Sequence, residues 1–132
     1  MLILKSILIW ILMIPFAILN GGLRIYITEP LLGENIALPL SGIILSIVIV
    51  LLAYFLLPKL GKGKSIEYIF IGLLWFTLTN LFDLIIFFIE GVPIIEFFKA
   101  FDVTTGNLWL LVVIVCLISP IIVAKSRKLI ID

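Results

Sequence analysis

Arg24 and Asp83 are the only charged side chains placed well inside long apolar runs of this chain. A charge held at membrane depth costs roughly 2.5–3.5 kcal/mol, so it normally faces a partner or a wet cavity. Their opposite signs predict that each is the other's partner. Polar neighbours share their faces: Asn20 and Arg24 are spaced i,i+4, as are Thr79 and Asp83, while Asn80 and Asp83 are i,i+3. On a helix such pairs lie one above the other. Trp75 shares the face of Thr79 and is a candidate floor for a pocket. The chemistry that these side chains suit is binding. A guanidinium holds an anionic group, a carboxylate tunes or releases it, and amides and hydroxyls orient it. Two structural readings compete. In one, Arg24 and Asp83 form only a folding clasp; in the other, Arg24 snorkels to the headgroups as an anchor.

Helix rise converts these spacings into depth. Arg24 lies 19 residues beyond Lys5, about 28 Å up its run, and Asp83 lies 18 beyond Ser65, about 27 Å up its own. Asn107 precedes Lys125 by 18 residues and Ser41 precedes Pro58 by 17. The expectation is one polar layer near one membrane face, with Asn20 and Asn80 a turn deeper.

Catalytic chemistry finds little support. The chain has no histidine and a single cysteine, Cys116. Zinc or haem clusters, a Ser-His-Asp arrangement and an intrachain disulfide are therefore excluded. Gly61-Lys62-Gly63-Lys64 lacks Walker spacing. No catalytic residue, metal ligand set or cofactor is nominated.

The elements that must position these residues follow from composition. The 132 residues are 64% hydrophobic and 13% charged, whereas a soluble domain is about 45–50% apolar and about 25% charged. Only a bilayer can solvate that surface. A net charge of +1 offers no basic stripe for nucleic acid. Apolar runs of about 20 residues are the length of a membrane span. They occur at 4–27, 36–57, 66–89 and 107–124, within a single domain. The first is read as a span, since it is too long for a leader and no small-residue cleavage site follows Ala17. Thr28-Glu29-Pro30 is expected to end it, Asn35 to cap the second, Pro58 to stop the second and Ser65 to cap the third. Gly91-Val92-Pro93 should break the third. From Ile94 to Phe101 the apolar residues share one face, with Glu96, Lys99 and Asp102 opposite, as in a short interfacial helix. Thr104-Thr105-Gly106 then turns the chain back, and Pro120 should kink the last span.

With four spans, both termini and the middle loop share one side. That side carries seven Lys and Arg residues, and the other carries only Arg24 and Lys99. The positive-inside rule makes both termini cytoplasmic. The predicted architecture is an all-α membrane protein: a four-span antiparallel bundle with a short interfacial helix before the last span. So small a bundle has the lipid bilayer as its first partner. Gly42 and Ser46, like Ala17 and Gly21, form small-xxx-small pairs, and the former is a candidate contact for a homo-oligomer or another membrane protein.

The residues of the polar layer resemble a group of small four-span bacterial membrane proteins of uncharacterised function. The resemblance rests on Asn20-Gly21-Gly22-Leu23-Arg24, Pro30-Leu31-Leu32-Gly33, Gly72-Leu73-Leu74-Trp75 with Thr79 and an acid after Phe82, and Gly106-Asn107-Leu108-Trp109. It implies a fold and residues to test, and no reaction. Asp83 stands where that pattern has glutamate, and the outer loop lacks the pattern's histidine and tryptophan. Small multidrug exporters carry a glutamate in their first span, and four-span fluoride channels a Thr-Phe-Ser-Thr-Phe break; this chain has neither. Three function classes remain in view. They are binding or transport of a small polar molecule, ion or lipid headgroup, an accessory membrane subunit, and an enzyme acting on lipid.

Overall fold

The structure is a computed structural model that describes residues 2–99 and 108–131. Among these residues it is helical, with no named strand. Helix α1 (Leu2–Leu23) runs without a break into a π-helical turn (Arg24–Thr28) and a short helix α2 (Glu29–Leu32). Then come α3 (Glu34–Leu56), a 3-10 turn (Leu57–Leu60), α4 (Ser65–Ile89), α5 (Ile94–Lys99) and α6 (Trp109–Ser126). Four helical stretches are long and apolar enough to cross a membrane: Leu2–Leu32, Asn35–Leu60, Ser65–Ile89 and Trp109–Ser126.

Several boundaries differ from the sequence reading for local reasons. Thr28-Glu29-Pro30 does not end the first span. Proline lacks a backbone N–H and its ring crowds the carbonyl four residues back, and a widened turn absorbs both: the Glu29 N–H bonds to the Arg24 carbonyl, five residues back. The helix stops instead at Gly33, whose φ of 85° suits glycine. Gly33, not Asn35, is the cap residue of α3. Ser65 is the first residue inside α4, and Lys64 caps it, with its N–H bonded to the Glu67 carboxylate at 3.1 Å. Gly91-Val92 does end α4: Val92 N–H reaches the Phe87 carbonyl (2.9 Å), Gly91 N–H reaches that of Phe88 (3.2 Å), and Gly91 has a φ of 71°. Pro120 sits inside α6, which stays helical on both sides of it. The expected end of the interfacial helix at Phe101 and Asp102 and the turn at Thr104-Thr105-Gly106 lie outside the described residues.

Packing is lopsided along the helices. On α1 the buried residues are Leu2, Ser6, Ile9 and Met13, and on α4 they are Tyr68, Ile71, Gly72 and Trp75. Both sets keep the three-and-four spacing of a helical seam, and both stop about halfway. α6 packs on α3 and α4, and α1 packs on the same two helices. Two glycines let backbones approach. A Cβ at Gly72 would lie 2.0 Å from the Leu117 carbonyl oxygen of α6, and one at Gly42 would lie 2.6 Å from the Leu108 Cβ. The Gly42/Ser46 stripe is thus spent on the chain's own fourth span: Gly42 meets Leu108, and Ser46, which is buried, bonds to the Gly42 carbonyl.

At the closed end the chain's extremities meet the middle loop. Gly63 exchanges backbone bonds with Leu129 and Ile131 (3.1 and 2.9 Å), and the Leu2 side chain packs over Gly63. Arg127 stacks 4.6 Å above the Tyr54 ring.

Candidate functional site

Beyond the level of Met13 and Trp75 the four long helices enclose a cavity of about 510 Å³, within the 300–1,000 Å³ usual for small-molecule sites. Every span contributes. α1 presents Asn20, Gly21 and, at its end, Arg24; α3 presents Ser41 and Gly42; α4 presents Thr79, Phe82 and Asp83; α6 presents Trp109 and Cys116. Trp10 forms part of the wall and is locked twice. Its Nε1–H donates to Thr79 Oγ1 at 3.0 Å, and its ring meets Phe82 edge-on at 6.1 Å. Thr79 Oγ1 also lies 3.7 Å from Cys116 Sγ, so one hydroxyl ties α1, α4 and α6 together. Asn20 ties α1 to α3: its Nδ2 donates to both the Ser41 carbonyl (3.0 Å) and the Ser41 hydroxyl (2.9 Å).

The expected clasp between Arg24 and Asp83 is not formed. The ion pair of Arg24 is with Glu29, Nε to Oε1 at 3.5 Å. The π-helical turn explains the choice, since its i to i+5 bonding brings residues 24 and 29 onto one side. Register explains the rest. Trp10 bonds to Thr79 and the Ser6 carbonyl accepts from Trp75 Nε1, both at a separation of 69 residues. The same offset sets Asp83 level with Ile14 and leaves Arg24 ten residues further along, about 15 Å. Lys5 and Ser65 are therefore the wrong anchors for depth, and the charges do not share one layer. They occupy two levels of one cavity, Arg24 with Glu29 toward the end away from Gly63 and Asp83 below.

Two other candidates stand apart. Trp75 does not floor the cavity; it is fully buried beneath it, donating to the Ser6 carbonyl at 3.2 Å. Asn80 turns away and donates to the Phe76 carbonyl of its own helix at 2.9 Å, with its Oδ1 buried and unpaired. Asn107 lies outside the described residues. Trp10 and Cys116 join the site without having been singled out for it. Their spacing to the polar residues carries no local signal, because only the α1–α4 and α4–α6 packing brings them there.

Among the described residues no group of three His, Cys, Asp or Glu side chains converges as a metal site. What the cavity offers is an apolar and aromatic wall, a few hydrogen-bonding groups, one guanidinium and one carboxylate. No protein-family model, no curated protein and no solved structure matches the chain.

Proposed function

We propose that this chain is an integral membrane protein that binds or transports a small polar molecule, an ion or a lipid headgroup in a pocket near the outer leaflet. The supporting observation is the single cavity to which all four spans contribute, with Asn20, Arg24 and Asp83 among its walls. In this reading the spans form an antiparallel bundle in the cell membrane, with both termini in the cytoplasm and α5 lying along the outer interface. The lipid bilayer is its standing partner. Membership in the group of small four-span bacterial proteins that its Asn20 to Arg24 and Gly72 to Trp75 stretches resemble belongs to the same proposal.

The accessory-subunit alternative took Arg24 and Asp83 as nothing more than a folding clasp. It draws less support, since Arg24 pairs with Glu29 and a carboxylate facing a cavity adds nothing to folding. Native mass spectrometry of protein extracted from its own membrane tests the proposal. The expected result is a bound small molecule on the intact chain, lost when Ile14→Trp fills the cavity. A chain that carries only annular lipid, identical in wild type and Ile14→Trp, refutes it.

A further inference from the structure

Resting on that reading, we infer that the ligand is an organic cation: an ammonium or similar charged head on an apolar or aromatic body. The two ionised groups of the cavity differ in what answers them. The charge of Arg24 is met by Glu29. Among the described residues the Asp83 carboxylate has no ion pair or hydrogen bond, and Arg24 sits about 15 Å further along the helices by the register above. A half-buried carboxylate at membrane depth calls for a positive partner.

Two of the donors in the cavity wall are also committed. Asn20 Nδ2 donates to the Ser41 carbonyl and hydroxyl, and the Trp10 N–H donates to Thr79. Facing a ligand there are the Asp83 carboxylate, the Asn20 amide oxygen and aromatic rings, all of which favour a cation, while the Arg24 guanidinium is already paired with Glu29. Trp10, Phe82 and Trp109 line the same space, and tryptophan faces attract cations best, above all when water is excluded. The charge of the whole outer end points the same way. Among the described side chains Glu29, Glu90 and Glu96 outnumber Arg24 and Lys99 there, and Glu90 follows Asp83 by two helical turns on nearly the same face. A cleft approached through negative potential concentrates cations at its mouth.

The test uses the full chain in nanodiscs of neutral phosphatidylcholine, so that the membrane surface itself attracts no ion. Benzyltrimethylammonium is titrated while tryptophan emission is followed, beside its uncharged carbon isostere neopentylbenzene and the anion benzenesulfonate. The expected result is saturable binding of the cation alone. Asp83→Asn should weaken it at least about tenfold, and Asp83→Glu, which keeps the charge, should retain it. Circular dichroism checks that both variants are folded. Neopentylbenzene binding as tightly, or cation binding indifferent to Asp83→Asn, overturns the inference and leaves the pocket reading standing. Benzenesulfonate binding that depends on Arg24 does the same. If no probe binds and mass spectra show no small molecule on the native chain, both readings fall together.

Discussion

Asp83 and Arg24 bear opposite relations to folding, and that difference is measurable. A buried charge pair that loses one member typically costs 3–5 kcal/mol, because the other is stranded. Here no such pair exists. Arg24 and Glu29 are each about a third exposed, at 32% and 30%, and pairs so accessible to solvent contribute about 0–1 kcal/mol. Arg24→Gln should therefore lower stability by no more than about 1 kcal/mol. Asp83→Asn removes a charge that nothing in the fold answers and should leave stability equal or higher, by up to about 1 kcal/mol. Thermal unfolding of the two variants in the same detergent checks both. A large loss from Asp83→Asn would restore the clasp. The residues themselves were legible in the chain, since a charge inside an apolar run is conspicuous. Their pairing was not. It depends on the register set by Trp10 with Thr79 and Trp75 with Ser6, contacts between residues far apart in sequence that leave no local trace.

The helices show the same division between local and distant causes. Their existence and approximate ends follow from apolar length and from Gly91, whose positive φ completes the turn after α4. The π-helical turn before Pro30 has no signature in the sequence, where proline reads as a stop, because a widened turn can absorb both its missing donor and its ring. The role of Gly72 was also out of reach, because small residues are common in membrane helices and only the facing helix tells which of them matter. A Cβ there would sit 2.0 Å from a backbone oxygen of α6, an atom that cannot swing aside as a side chain would. Gly72→Ala should force α4 and α6 apart and lower stability by about 1–3 kcal/mol or more. Gly22 meets nothing within 4 Å, so Gly22→Ala should be neutral or stabilising by about 0.5–1 kcal/mol, as expected for alanine in a helix. Thermal shift of the two proteins side by side separates close approach from mere helix propensity. Equal effects would mean that α4 and α6 do not meet closely at Gly72.

Taken whole, the molecule is a cup. One end is closed by Leu2, Tyr68, Trp75 and Leu129 and by the backbone bonds that join Gly63 to the last residues. At the other end the seam residues run out and the cavity begins. The closed end also carries the seven basic residues, and in the proposed orientation, with that end in the cytoplasm, the cup should open outward. Single cysteines on a Cys116→Ala background test this in intact cells with a membrane-impermeant maleimide. Val92→Cys, just past α4, should label from outside. Lys62→Cys, in the basic loop beside Gly63, should label only after the cells are permeabilised. Asn20→Cys, inside the cavity, should label from outside more slowly than Val92→Cys and be slowed further by a bound ligand. Ser6→Cys, in the closed half, should resist from both sides. A protein that only binds would keep that pattern under all conditions. A transporter must at some point open the seam of Leu2, Ser6 and Ile9 against Tyr68 and Ile71, because no route past Trp75 exists while that ring fills the gap between α1 and α4. Labelling of Ser6→Cys from the cytoplasmic side that rises when substrate is added would identify the second conformation, and with it transport rather than binding alone.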